Sequence, residues 1–388
     1  MNVHFAVCGI GLGHASRSVV LARALLRRGH KITFSAYSQA YDYLRKAGFK
    51  ASRVPSVNYG VGPDGVVSFK QTILSNITLP VRFLAQTGAE TVNLSESKAD
   101  CVVSDTRASA VAAAHMLGKP VATILNQYNL VLQARKHRRL AKILEQAVQA
   151  PRLVWDMSDL LIIPDLPPPY TISEATLQIP EKTRSKAVYV GPLTEQRHFT
   201  QSHLETLRVA YGARDKPLII VNISGGRMEK KTLIKKLLDM APKLSDKHVY
   251  VLSMAEPESN DFFKVGPMVV HGWVEDMDSL MMASDLVIGR SGLTLISKCI
   301  AFGKKMLLIP TPLHGEQSLN AEKARKIGLA EVVEQEELTP YLFEEKVAEV
   351  LGNAVMDSAV GSLRNLASNL GGAGRAAAAV EQLVLNLS

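Results

Sequence analysis

Between Asp285 and Asn320 the chain reads D-L-V-I-G-R-S-G-L-T-L-I-S-K-C-I-A-F-G-K-K-M-L-L-I-P-T-P-L-H-G-E-Q-S-L-N. An apolar run of strand length, Asp285–Gly289, stops at the small polar turn Arg290-Ser291-Gly292. A helix follows to Phe302, then a strand over Met306–Pro310 and a polar loop that ends in Glu316-Gln317. Short, wholly apolar strands joined through helices belong to a parallel sheet covered on both faces, so the chain is α/β. In such a sheet ligands bind beyond the carboxyl ends of the strands. The free N–H groups that open the helix after Ser291-Gly292 form an anion cradle. Glu316 and Gln317 suit sugar hydroxyls, so a nucleotide sugar is the expected ligand.

The same unit recurs. Val3–Cys8 enters Gly9-Ile10-Gly11-Leu12-Gly13-His14 and a helix, with Lys31–Ala36 as the next strand. Further strands are expected at Ala99–Ser104, Val121–Leu125, Leu160–Ile163, Leu218–Ile223 and His248–Ser253. The chain's 388 residues suggest two or three domains. Composition turns polar after Pro192, which puts the boundary there. The expected division is 1–192 for an acceptor-binding Rossmann-like domain, 193–370 for a donor-binding one, and 371–388 for a C-terminal helix.

No apolar run approaches the roughly 20 residues needed to span a bilayer. The start of the chain is interrupted by Gly9, Gly11 and Gly13 and lacks the basic flank of a signal peptide, so a cytoplasmic protein is expected. Cys8, Cys101 and Cys299 are odd in number and set in apolar runs, which fits buried free thiols and no zinc site. The net charge of +9 favours phosphorylated or anionic partners. No nucleic-acid-binding module is present, and no nucleic-acid partner is expected. Basic clusters stand at Arg27-Arg28-Lys31 and Arg135–Arg139. With the apolar stretch Phe69–Leu84 they fit either solvated faces around a core or a peripheral membrane surface.

Gly9–His14 is not a dinucleotide fingerprint. The third glycine of that pattern falls on His14, and no acid follows Phe34 to hold a ribose. Gly11 and Gly13 instead clear space around His14 on the acceptor side. The positive end of a helix disfavours a second proton on an imidazole, which leaves it able to accept one, as a general base must. Asp105, at the end of another strand, either orients that imidazole or caps its own helix. Asn126 ends a third strand at the same edge. Ser224 and Gly225 repeat the glycine turn and offer amides to a diphosphate or a sugar. Trp273 and Val274 present backbone groups to a nucleobase, unless Trp273 is core. Asp276-Met277-Asp278 has the spacing of a metal-binding D-x-D, but acids at the start of a helix stabilise it without a metal.

The pattern Trp273-Val274-x-Asp276-Met277, then Ser284-Asp285-Leu286-Val287-Ile288-x-Arg290-Ser291-Gly292, then Glu316-Gln317-x-x-Asn320-Ala321 resembles the C-terminal half of glycosyltransferase family 28. It is also similar to the wider nucleotide-sugar transferases of the two-domain GT-B fold. The resemblance implies two Rossmann-like domains facing across a cleft, with the last helix crossing back to the first. It implies His14 as catalytic base, and donor contacts at Ser224, Gly225, Trp273, Val274, Arg290, Ser291, Gly292, Glu316, Gln317 and Asn320. The expected enzyme is an inverting, metal-independent glycosyltransferase without cofactor. It moves a hexose or N-acetylhexosamine from a UDP-sugar to an acceptor hydroxyl, with a lipid-linked acceptor favoured. The family commonly places a ribose-binding Glu on the helix after R-S-G, where this chain has Lys298. That departure keeps open a catalytically inactive donor-binding subunit, and an epimerase of the same fold is the other alternative.

Overall fold

The computed structural model describes residues 1–56, 79–129, 150–195 and 197–387. Most of the Phe69–Leu84 stretch and all of the Arg135–Arg139 cluster lie outside them. The described chain forms two compact units. The first joins the N-terminal half, through Glu195, to the C-terminal residues from Ser368, and the second runs on to Ala367.

The first unit is built on seven strands: β1 (Asn2–Val7), β2 (Lys31–Ala36), β3 (Ala51–Arg53), β4 (Cys101–Asp105), β5 (Val121–Ile124), β6 (Leu160–Ile163) and β7 (Ala187–Tyr189). Their spatial order is β3-β2-β1-β4-β5-β6-β7, every pairing parallel. β1 and β4 are central and buried almost throughout, which explains their apolar runs. One core lies under the Gly13–Arg27 helix and holds Phe5, Val19, Leu21, Leu25 and Phe34. On the other face, Ala110, Val111, Ala114 and Leu94 cover Val102 and Leu161.

The helix Gly372–Leu387 lies against Gly13–Arg27. Its small residues Ala373, Ala376 and Ala377, with Val380, join that first core. Glu381 of this helix bonds Arg28 and His30. The C-terminal helix is therefore part of the first unit, although the chain reaches it only after completing the second.

The second unit repeats the plan with β8 (Leu218–Asn222), β9 (Val249–Ser253), β10 (Phe262–Val265), β11 (Met268–His271), β12 (Leu286–Gly289), β13 (Lys305–Leu308) and β14 (Ala330–Val332). The order is β10-β11-β9-β8-β12-β13-β14. β10 and β11 form an antiparallel hairpin at one edge, and the other pairings are parallel.

In each sheet the chain winds outward from the first strand and then returns to its other side. The return falls between β1 and β4 in one sheet and between β8 and β12 in the other. Helices leaving on opposite faces open a crevice at such a switch point. The two candidate sites are therefore at Val7/Asp105 and at Asn222/Gly289, which stand side by side in register.

Candidate active site

At the first switch point the chain leaves β1 through a turn that demands glycine. A Cβ on Gly9 would lie 2.2 Å from the carbonyl oxygen of Tyr37, and Gly11 has φ +73°. The helix Gly13–Arg27 then starts with no acid in its first turn and no side-chain cap. His14 in that turn reaches across to β4, where its Nδ1 lies 2.7 Å from Asp105 Oδ1. The imidazole is 22% exposed and the carboxylate fully buried. Asp105 is not the helix cap: Arg107 holds the N-cap position of Ala108–Met116, and Ser104 Oγ accepts its N–H.

Arg17 and Ser18 complete the cluster. Arg17 Nε donates to Asp105 Oδ2 at 2.8 Å, Nη2 to Oδ1 at 2.5 Å, and Ser18 Oγ to Oδ2 at 2.9 Å. Arg17 Nη1 donates to Asn126 Oδ1, so that oxygen of the third strand end faces the cluster. Burial alone would push the Asp105 carboxyl up. The charges of Arg17 and His14, and the hydrogen bonds both make, outweigh it and hold the group well below the usual carboxylate range.

A second buried charge network supports this loop from behind. Arg107 pairs with Glu90 at 2.5 Å and donates to the carbonyl of Val7. Ser35 Oγ and His4 Nε2 also reach Glu90, at 2.7 and 3.3 Å. Burial again pushes the Glu90 carboxyl up, but the His4 hydrogen bond and the Arg107 charge bring it down to about 2.

The second switch point is organised differently. A Cβ on Gly289 would meet Leu295 and the Asn222 carbonyl at 2.5 and 2.6 Å, so β12 can approach β8 only with glycine there. The polar side chains that follow turn inward. Arg290 is 3% exposed and donates to the carbonyls of Ile309, Pro310 and Glu229 and to Gln335 Oε1. Ser291 Oγ donates to Gln317 O, and Asn320 Nδ2 to Ser291 O. Gln317 Oε1 accepts the N–H of Thr311. The Nη1 and Nη2 groups of Arg290 thus bond the protein's own carbonyls. These side chains hold the turn while leaving Gly292 at its rim as the N-cap of Leu293–Phe302, with no acid in the first turn. A Cβ there would meet nothing within 4 Å.

The neighbouring turn after β8 carries its own anion. Ser224 and Gly225 (φ +133°) are partly exposed, but Glu229 folds back so that Oε2 accepts the Gly226 N–H at 3.4 Å. Trp273 and Val274 follow β11 and are half-buried, as are Glu316 and Gln317 at the start of Gly315–Lys326.

The D-x-D acids are both spoken for. Asp276 accepts Ser279 N, caps the helix Met277–Ala283 and pairs with Arg197 at 2.5 Å. Asp278 accepts from Lys298 Nζ at 2.5 Å. Among the described residues no group of three His, Cys, Asp or Glu side chains could hold a metal, and all three cysteines are buried and free. Reading the sequence did not single out Arg17, Ser18, Glu90, Arg107 or Asp278 as a partner of Lys298. The signal for Arg17 was its place three residues after His14, on the same helix face.

Comparison with known proteins agrees with this architecture. A family model described as "Glycosyltransferase family 28 C-terminal domain" matches residues 220–362, and one described as "Glycosyl transferase family 1" matches residues 1–158. An uncharacterized glycosyltransferase of Methanosarcina acetivorans is 29% identical over 377 residues, covering 96% of each chain. A UDP-N-acetylglucosamine--N-acetylmuramyl-(pentapeptide) pyrophosphoryl-undecaprenol N-acetylglucosamine transferase of Oceanobacillus iheyensis is 27% identical over 184 residues, covering 46% of this chain and 50% of the relative. Among solved structures, CalG4, the calicheamicin glycosyltransferase, superposes with a TM-score of 0.68 at 19% identity, covering 100% of this chain and 99% of that one. The glycosyltransferase of kitacinnamycin gives 0.69 at 16%, covering 98% of each. With two family matches in tandem and the sheets they require, the chain is a family 28-like nucleotide-sugar glycosyltransferase of the GT-B fold.

Proposed function

We propose that this enzyme is an inverting, metal-independent transferase that moves a hexose or N-acetylhexosamine from a UDP-sugar to an acceptor hydroxyl, with His14 as the base. The observation that carries the proposal is the His14–Asp105 hydrogen bond at the β1/β4 edge. A carboxylate on Nδ1 fixes the proton there and leaves Nε2 with the lone pair. Nε2 takes the acceptor's proton as its oxygen forms the bond to the anomeric carbon. The bond from that carbon to the diphosphate breaks in the same displacement, which inverts the centre. The leaving charge is met by the amides at the start of Leu293–Phe302, a helix that brings no anion of its own.

The donor assignment draws on Glu316 and Gln317 for sugar hydroxyls and on Trp273 and Val274 for the base. The UDP-N-acetylglucosamine of the Oceanobacillus relative's name supports the same class of donor. A lipid-linked acceptor, reached from the membrane surface, is supported by the undecaprenol in that name and by the net charge of +9. Among the described residues no helix is long and apolar enough to cross a membrane.

The test is incubation with UDP-glucose or UDP-N-acetylglucosamine and a polyprenyl-phosphate extract. Release of UDP with a glycosylated lipid is expected. An altered sugar without UDP release would mark an epimerase, and thermal stabilisation without turnover an inactive binder. His14→Ala should lower the rate by ~10²–10⁴-fold with donor affinity unchanged, since a general base contributes about that much. Full rates in that variant would end the base assignment.

A further inference from the structure

Arg17 is 4% exposed and its guanidinium is shared among several partners. The fork of Nε and Nη2 grips both oxygens of Asp105, and Nη1 reaches Asn126 Oδ1 at 3.1 Å. The same Nη2 lies 3.0 Å from His14 Nδ1. Two groups therefore compete for that ring nitrogen. A carboxylate wants a proton on it, whereas a guanidinium wants its lone pair. The shorter contact is with the carboxylate, at 2.7 Å, and Nη2 already donates to Asp105 Oδ1. Both contacts favour the carboxylate as the partner of a proton on Nδ1.

A free carboxylate behind an imidazole does two separate things: it orients the ring, and its charge stabilises the imidazolium. Here the fork cancels the charge and leaves the orientation. It also fixes the carboxylate rotamer, because Ser18 and Thr106 hydroxyls occupy what the fork leaves of the two oxygens.

We propose that Arg17 is a positioning residue: by gripping Asp105 it holds the His14 proton on Nδ1 and keeps Nε2 as the acceptor. The proposal rests on His14 being the base. The titratable and charged groups around the pair are Arg17 itself on the His14 helix, Asp105 on β4, Cys8 after β1, and Arg107 in the loop after β4. Arg107 is committed to Glu90, and burial pushes the Cys8 thiol up.

The experiment compares Arg17→Gln and Arg17→Lys with the wild-type enzyme in kcat, donor KM, rate against pH and the 15N spectrum of His14. In Arg17→Gln, kcat should fall ~10–100-fold, the usual range for a misplaced catalytic group, while donor KM stays within about twofold. The spectrum should lose the pure Nδ1–H form. The acid limb of the rate should move to higher pH, because burial pushes the Asp105 carboxyl up once the guanidinium is gone. Arg17→Lys keeps the charge without the fork, so it should restore the acid limb but not the full rate. An Arg17→Gln enzyme with an unmoved tautomer and acid limb overturns the proposal whatever its rate. If that variant does not fold, Arg17→Lys decides: a mixed tautomer at unchanged donor KM supports it, and a wild-type tautomer and kcat overturn it. Full activity of His14→Ala would instead sink the base reading itself, so the two failures are told apart.

Discussion

The β1/β4 and β12/β8 edges begin from the same local plan, a parallel strand, a glycine turn and a helix start, and diverge in what they do with side chains. At the first edge the side chains form the candidate site. His14, Arg17 and Asp105 fold together at the mouth of the sheet, and a second buried set, Glu90, Arg107 and His4, stands behind them. At the second edge the side chains are scaffolding. Arg290, Ser291, Gln317 and Asn320 bond backbone groups of their own unit and leave the Leu293–Phe302 amides as the offering. On the proposed function, one helix start supplies a proton acceptor and the other a neutral cradle for an anion. A base must be a side chain, whereas a diphosphate is best met by dipoles that add no charge of their own to move.

The largest consequence concerns acid. Glu90 is brought down to about 2 and Asp105 is held well below its usual range, both buried in the first unit. A depressed carboxyl adds stability above its unfolded value near 4.5 and loses it as pH falls toward the folded one. For Glu90 alone that window is pH 4.5 to about 2, worth roughly 3 kcal/mol. Asp165, pushed up by burial, offsets part of it. The depressed acids of the second unit, Asp276 and Glu344, are more exposed and contribute less. The first unit should therefore lose structure first on acidification. The two tryptophans report on this separately, since Trp155 lies in the first unit and Trp273 in the second. Acid titrations of Trp155→Phe and Trp273→Phe should show the Trp155 signal changing at the higher pH. Coincident transitions, or the reverse order, would break the contrast.

A smaller effect separates scaffold from cradle at the second edge. Gly292 has φ −69° and ψ 140°, open to any residue, and a Cβ there meets no protein atom within 4 Å. Gly292→Ala should leave the melting temperature within about a degree. If the diphosphate approaches those amides, the methyl stands in its way and donor affinity should fall ~10-fold, about 1.4 kcal/mol. Isothermal titration with UDP reads it directly. Unchanged affinity would mean that the anion binds elsewhere.

How far these differences could be read from the chain follows from their physics. The strands were legible because a sheet covered on both faces needs unbroken apolar runs, and Val3–Cys8 or Leu218–Ile223 cannot easily be anything else. His14 and Asp105 were legible as polar residues at one sheet edge, with Asp105 open to two readings, orienting the imidazole or capping its own helix. What joined them was the strand order, which puts β4 beside β1 across two intervening strands in sequence. Arg17 was hidden for the same reason: three residues past His14, on a helix, an arginine reads as a solvated face until a buried carboxylate is found beneath it. Arg290 is the opposite case. A polar residue at a strand end looks like a ligand contact, and sequence does not say which way its side chain turns. It turns inward to the carbonyls of Ile309 and Pro310, just past the end of β13.

Lys298 gives the smallest and most direct challenge to the contrast. It stands where the family resemblance puts a ribose-binding acid, yet its ammonium is given to Asp278, with side-chain exposures of 22% and 15%. If the second edge uses side chains only as scaffolding, this pair fastens the helix Met277–Ala283 to Leu293–Phe302 and touches no ligand. A double-mutant cycle of Lys298→Met and Asp278→Asn in urea should then give a coupling of about 1 kcal/mol, the upper end for a partly exposed pair. UDP affinity in each variant should stay within about twofold of wild type, and a chelator should change neither affinity nor rate. A loss of UDP affinity in Asp278→Asn much beyond its share of the stability loss would mean that this carboxylate meets the ribose. The second edge would then rely on charged side chains as the first does, and the division between them would have to be drawn elsewhere.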